Sequence, residues 1–90
     1  MTIERVICNL RLIRTHFNYS QEYLVRDANH VIGIHNVNVP FLDRVTLSKA
    51  ENGSVILIPA HVRAIASVFG CTAHDIYPGL YPAGGDANAE

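Results

Sequence analysis

The sequence predicts a small, mainly all-α domain of five short helices, and three observations support this fold class. Apolar residues recur at steps of three and four along several segments, as they do on one face of an amphipathic helix. Residues that typically start or end helices separate these segments. The 90 residues are 49% apolar, which is enough for one core but not for two domains. We therefore expect one domain over residues 1–81 and a flexible tail over residues 82–90.

Composition excludes several classes of protein. Seven Lys and Arg against eight Asp and Glu give a formal net charge of −1, which excludes a strongly basic nucleic-acid coat protein. No apolar run reaches the roughly 18 residues of a membrane span, and the first residues do not resemble a signal peptide. Cys8 and Cys71 are interpreted as small buried side chains in a reducing compartment. We expect a cytoplasmic protein with no membrane association.

The first two helices follow from apolar spacing and capping residues. A helix is predicted over residues 3–17 with Thr2 as its N-cap, because one face carries Ile3, Val6, Ile7, Leu10, Ile13 and Phe17. Ser20 is the predicted N-cap of a short second helix. Its inward residues are expected to be Tyr23, Leu24 and Ala28, and Asn29 is expected to end it.

Residues 30–42 have a different character from the helices on either side. They are rich in β-branched residues and contain Gly33 and Pro40, so we expect no helix there. A hairpin turning at His35–Asn36 would pair Ile34 with Val37 and Ile32 with Val39, with both pairs on one face. Since the turn lacks the Asn-Gly signal, an irregular apolar loop lying on the helices is the alternative.

Three further helices are predicted in the second half of the chain. Asp43 caps a helix over residues 44–51, which Gly53 ends in a left-handed conformation. Pro59 occupies the first turn of the next helix, which Gly70 closes. The inward face of that helix carries Val62, Ile65, Ala66 and Phe69. Thr72 caps a last short helix, Ala73 to Tyr77.

The order of these signals resembles the phage-repressor, or Xre/Cro-type, helix-turn-helix family. Ser20-Gln21-x-x-Leu24 is similar to the start of that family's second helix, and Leu47-Ser48-x-x-Glu51-x-Gly53 to the end of its third. Pro59 and Ala66-x-x-Phe69-Gly70 follow in the family's order. The resemblance covers roughly residues 3–77. It departs from the family at Val25, where Ala is usual, and in the long segment 30–42, where the family has a tight turn.

The resemblance implies double-stranded DNA as the partner and a recognition helix that begins at Arg44. A helix with polar residues at its start can enter the major groove and bond to base edges. The resemblance places Arg44, Val45, Ser48 and Lys49 toward the bases. It places Thr46, Gln21 and Asn52 at the phosphate backbone. By spacing alone, these residues also fit an ordinary solvated helix face and exposed helix ends.

A structural ion pair between Arg14 and Glu51 is a second implication of the resemblance. Arg14 lies seven residues before Gln21, which matches a family arginine that pairs with the glutamate matched by Glu51. Such a pair would tie the first helix to the recognition helix.

The sequence shows no pattern of catalytic or metal-binding residues. The five histidines have no zinc-site spacing, and no catalytic triad or glycine-rich phosphate loop is present. We expect no enzyme, no metal and no cofactor.

Two segments are candidate protein-contact surfaces. The apolar residues of segment 30–42 either extend the core, meet a protein partner or lie along DNA. Near the C-terminus, Ile76, Tyr77, Leu80 and Tyr81 are the predicted contacts of a homodimer that binds a palindromic operator. The expected function is sequence-specific transcriptional regulation, most simply repression. A protein-binding module on the same fold, such as an antitoxin subunit or adaptor, is the alternative.

Overall fold

The computed structural model describes residues 6–35 and 38–83, which form five α-helices and, within those ranges, no strand. The helices are α1 (Leu10–His16), α2 (Gln21–His35), α3 (Arg44–Glu51), α4 (Pro59–Phe69) and α5 (Ala73–Ile76). The mainly all-α prediction is confirmed at this level. No helix in the described ranges has the length and apolarity to cross a membrane.

Helix α4 is the central element of the core. It packs most extensively on α2 and also contacts α5, while α3 contacts both α2 and α1. Its predicted inward residues, Val62, Ile65, Ala66 and Phe69, are all buried. Leu24 and Ala28 of α2 are fully buried as well, whereas Tyr23, predicted to face inward, is about half exposed.

Ser20, Asp43 and Thr72 cap the starts of their helices with side-chain hydrogen bonds, as predicted. The Ser20 hydroxyl accepts from the backbone N–H of Tyr23 at 3.0 Å, and the Asp43 carboxylate accepts from that of Thr46 at 2.7 Å. Thr72 and Asp75 form a reciprocal capping box at the start of α5. Gly53 and Gly70 have φ of 82° and 69°, which side chains disfavour, and they follow the ends of α3 and α4.

Helix α1 begins later than the apolar spacing predicts. The chain from Val6 to Asn9 is not helical, and Ile7 is 62% exposed rather than inward. The backbone N–H of Asn9 donates to the carbonyl of Ile76 at 2.9 Å, and its side chain donates to the carbonyl of Asp75. These bonds attach the chain to the end of α5 and start the helix at Leu10. The predicted Thr2 cap lies outside the described residues.

The prediction that segment 30–42 is not helical is wrong for its first half. Helix α2 does not end at Asn29 but continues to His35. Ile32 is 1% exposed whereas Ile34 is 63% exposed, so these residues face opposite environments instead of sharing a strand face. Leu24, Ala28 and Ile32 are buried at four-residue steps, as on one helix face. The proposed hairpin partner Val37 lies outside the described residues.

The physical reason is that burial outweighs intrinsic propensity. A β-branched residue costs a helix only a few tenths of a kcal/mol, whereas burying an isoleucine side chain gains about 1.5–3 kcal/mol. Ile32 gains this burial beside α4, with Ala60 and Ala64 as neighbours around the same groove.

Candidate nucleic-acid interface

The carboxylate of Glu51, at the end of α3, joins three helices. Its side chain is fully buried, and Arg14 of α1 donates to it with Nε at 2.6 Å and Nη2 at 2.9 Å. The amide nitrogen of Gln21, in the first turn of α2, donates to the same carboxylate at 3.1 Å. The remaining Arg14 nitrogen donates to the carbonyl of Tyr19 at 2.7 Å. The predicted ion pair is thus present and bidentate, which is the strongest geometry for such a pair.

The surroundings of Glu51 stabilise its charged form. Burial alone raises the pKa of this carboxyl, but the hydrogen bonds from Arg14 and Gln21 and the charge of Arg14 outweigh burial and lower the pKa below 4.5. The pKa of Arg14 is raised by its hydrogen bond to Glu51. The pair is therefore ionised at neutral pH and holds α1, α2 and α3 together.

Gln21 connects this buried pair to the start of α3. Its amide oxygen accepts from Nε of Arg44 at 3.3 Å, and Arg44 also lies 3.5 Å from the carboxylate of Glu22. Arg44 remains 63% exposed. The first turn of α2 therefore orients the first side chain of α3 without burying it.

The predicted base-contacting residues lie on the outward face of α3. At about 100° per residue, Arg44, Val45, Ser48 and Lys49 fall within an arc of roughly 140°. Leu47 and Ala50, on the opposite side, are fully buried. Val45 is 64% exposed, and Arg44 and Lys49 are also exposed. Thr46 and Ser48 are half-buried. The exposed face thus presents two cations and one methyl-bearing side chain.

Arg11 is a residue that the sequence interpretation missed. Its Nη2 donates to the side-chain oxygen of Asn52 at 3.2 Å, and its Nε lies 3.6 Å from Glu51. Arg11 is 61% exposed, so it adds a cation beside Asn52, at the opposite end of α3 from Arg44. Its spacing from Arg14 is a usable signal, because residues three apart lie on neighbouring positions of a helix surface.

The side chains of Asn29 and His61 fix the chain between α2 and α3, a role that the sequence did not predict for either residue. The Asn29 amide donates to the carbonyl of Leu42 at 2.8 Å and accepts from its N–H at 2.7 Å. His61 of α4 is buried, and its Nε2 lies 2.7 Å from the carbonyl of Pro40. The two backbone positions held in this way, Leu42 and Pro40, lie one and three residues before Asp43. These contacts therefore fix the chain immediately before α3.

Segment 30–42 divides between core and surface. Ile32 and Leu42 are buried, whereas Ile34 and Phe41 are 63% and 65% exposed. The Phe41 ring lies over Gly33, where an added Cβ would be 4.0 Å from it. The segment therefore contributes to the core and also leaves apolar side chains at the surface.

The four residues predicted for dimerisation do not form one exposed patch. Ile76 and Tyr77 are buried within the domain, and the Tyr77 hydroxyl accepts from the backbone N–H of Leu57 at 3.2 Å. Leu80 is 43% exposed, and Tyr81 is half-buried. Since Ile76 and Tyr77 are already used in the core, these two side chains are not available as predicted contacts, whereas Leu80 and Tyr81 keep exposed surface.

Cys8 and Cys71 are unpaired thiols, and both are half-buried rather than buried as predicted. Among residues 6–35 and 38–83, no three His, Cys, Asp or Glu side chains come together as a set of metal ligands.

Comparison of the chain with protein-family models, characterised proteins and solved structures found no match. The functional interpretation therefore depends on the site itself.

Proposed function

We propose that this protein is a sequence-specific, double-stranded DNA-binding regulator of helix-turn-helix type, which represses transcription by occupying an operator. The observation that carries the proposal is the arrangement around Glu51. One buried carboxylate holds α1, α2 and α3 together, and Gln21, Arg44, Arg11 and Asn52 surround it at the surface.

The outward face of α3 suits the major groove of DNA. The side chain of Arg44 or Lys49 can donate to guanine O6 and N7, and Val45 can contact a thymine methyl group. Gln21 and Thr46 lie near the start of α3, and Asn52 and Arg11 lie near its end. All four side chains contact phosphates of the DNA backbone. Phosphate contacts fix the position of the helix, and base contacts provide the sequence information.

The charge distribution fits this role despite the overall charge of −1. Glu51 is neutralised by Arg14, so the exposed cations Arg11, Arg44 and Lys49 outnumber the exposed carboxylates of Glu22 and Asp43 around α3. Contacts between these cations and phosphates predict binding that weakens as the salt concentration rises. Two copies binding one operator would place their α3 helices about one DNA turn apart and favour a palindromic site.

The experiment is a fluorescence-anisotropy titration against DNA fragments from around the gene of this protein, with a random duplex as reference. We expect one fragment to bind at least about a thousandfold more tightly than the random duplex at physiological salt. The same weak affinity for every fragment, or no binding at low salt, would overturn the proposal.

Two variants separate base reading from general electrostatics. Arg44→Ala should weaken binding to the preferred fragment by about 1–3 kcal/mol and relax its sequence preference. Arg63→Ala is the matched control, because it removes the same charge from an exposed position on α4. Arg11→Ala should instead weaken all fragments alike and reduce the salt slope by about one.

A second candidate function is a protein-binding module, such as an antitoxin subunit or adaptor. Ile34 and Phe41 favour it, because both are large apolar side chains more than 60% exposed on one segment. A partner that co-purifies with the wild-type chain but is lost from Phe41→Ser would support this function, particularly if the isolated chain does not bind DNA.

A further inference from the structure

We propose that α1 is a self-association surface, on which a second copy of this chain docks antiparallel to the first. This inference concerns a face of the molecule other than the candidate nucleic-acid interface. It does not depend on DNA binding.

The surface contains an open apolar groove of about 560 Å³ between α1, the end of α4 and the start of α5. Phe17 and Phe69 line it as a stacked pair with ring centroids 5.2 Å apart. Leu12 and Ile13 of α1 line it as well. Its volume is within the roughly 300–1,000 Å³ that is usual for ligand-sized clefts, which is enough space for one leucine side chain.

The wall of this groove also carries an apolar side chain that could fill a second groove. Leu12 is 69% exposed and Phe17 is 47% exposed, and both belong to the same short stretch of chain. In a two-fold interface the same residues serve both copies, so a helix with a groove beside an exposed apolar side chain can complement itself. Each copy would place its Leu12 in the groove of the other.

Charge selects an antiparallel arrangement. Asp75 belongs to α5 but lies beside the N-terminal end of α1, where its carbonyl accepts from the Asn9 side chain at 3.0 Å. His16 is the last residue of α1. Both residues line the groove. Antiparallel helices would bring each His16 to the partner's Asp75, whereas parallel helices would place like groups together. One oxygen of the Asp75 carboxylate accepts from the backbone N–H of Thr72 at 2.9 Å, and the other oxygen can accept from the imidazole.

The position of the groove on α1 leaves the outward face of α3 free. At about 100° per residue, Leu12 and His16 lie roughly 40° apart on the helix. Arg14, which binds Glu51 on α3, points roughly 160° away from both. A partner docked on Leu12 therefore does not meet α3.

The interface is small, so we expect a weak dimer. We expect one seven-residue helix and one groove to bury less than the roughly 1,200 Å² of standard interfaces, as weak and transient complexes do. The test is sedimentation equilibrium of the full chain from about 5 to 500 μM, without DNA and with a reducing agent because Cys71 lines the groove.

Leu12→Glu should raise the dimer dissociation constant by roughly 100-fold or more, because the change occurs twice in each interface. Ile56→Glu is the matched control, since Ile56 is 53% exposed and does not line the groove. His16→Glu should weaken the dimer about tenfold by facing Asp75 with a like charge, whereas His30→Glu on α2 should not. Circular dichroism confirms that each variant remains folded.

A wild-type chain that stays monomeric at 500 μM would overturn the proposal, as would a dimer that Leu12→Glu and Ile56→Glu weaken equally. A dimer that responds to Leu12→Glu but not to His16→Glu would overturn the antiparallel arrangement. All of these results are independent of the DNA titrations, so failure of this inference leaves the proposed function intact.

Discussion

The two ends of α2 are held by different kinds of interaction. At its start, Gln21 takes part in a polar network centred on the buried carboxylate of Glu51. Near its end, Ile32 is buried beside α4, and Asn29 forms two bonds to the backbone of Leu42. The first end arranges the surface residues of the candidate interface, and the second fixes where α3 begins. The arrangement of the candidate interface therefore depends on apolar packing at some distance from it.

The largest effect is expected at the polar end. Glu51→Ala should lower the free energy of unfolding by about 3–5 kcal/mol, because it leaves the Arg14 guanidinium, only 13% exposed, without its partner. Urea denaturation measures this change. Glu22→Ala, at a side chain that is 78% exposed, is the control and should change stability by less than about 0.5 kcal/mol. A melting temperature of Glu51→Ala equal to that of the wild type would show that the network is not structural.

The apolar end is tested by two isoleucines of the same helix. Ile32→Ala should cost about 2–5 kcal/mol, and Ile34→Ala less than about 0.5 kcal/mol, because only the first side chain is buried. Thermal unfolding of both variants measures the difference. Equal losses would contradict a helix over these residues and favour the strand arrangement, in which both side chains share one face.

A smaller effect is expected where the apolar end meets the chain leading to α3. Asn29→Ala removes both bonds to Leu42 and should cost about 1–3 kcal/mol. Asn38→Ala, at an exposed asparagine of the same connection, should be nearly neutral. If Asn29 sets the start of α3, its variant should also weaken DNA binding under conditions where it remains fully folded. If the stability of Asn29→Ala equals that of the wild type, the bonds from Asn29 do not hold this end of α2.

The smallest effect is a dependence on acid pH that belongs to the polar end alone. The pKa of Glu51 is lower in the folded chain than its usual 4.5, so its contribution is complete above that value and is lost as pH falls toward the folded pKa. The loss is about 1.4 kcal/mol for each unit by which folding lowers the pKa. Urea denaturation between pH 7 and pH 3 should show the stabilities of wild type and Glu51→Gln converging. A constant difference would contradict the lowered pKa.

Local signals in the sequence predicted most of the fold. Ser20, Asp43, Thr72, Gly53 and Gly70 were placed correctly, because caps and left-handed glycines act on residues within one helical turn. The same reasoning failed at the end of α2. Asn29 was interpreted as a helix terminator. Its actual partner, the backbone of Leu42, lies 13 residues away and therefore leaves no local signal in the sequence.

Much of the candidate site was also within reach of the sequence. The resemblance to the helix-turn-helix family paired Arg14 with Glu51, and these side chains are in contact. It placed Gln21 at the DNA backbone, and the bond from Gln21 to Glu51 was not expected. It did not place Arg11, whose link to Asn52 bridges two helices. It also assigned Ile76 and Tyr77 to a surface, because an apolar run near a terminus gives no indication of whether the core has space for it.

The sequence alone therefore determined the helical class, the helix caps and the residues on the outward face of α3, since these depend on periodicity and neighbouring residues. Only the tertiary structure decided that residues 30–35 extend α2, that Ile76 and Tyr77 belong to the core, and that Arg11 and Asn29 have partners in other elements. The physical reason is that burial and long-range hydrogen bonds depend on which surfaces meet. Their free energies exceed the few tenths of a kcal/mol by which ordinary residues differ in helix propensity.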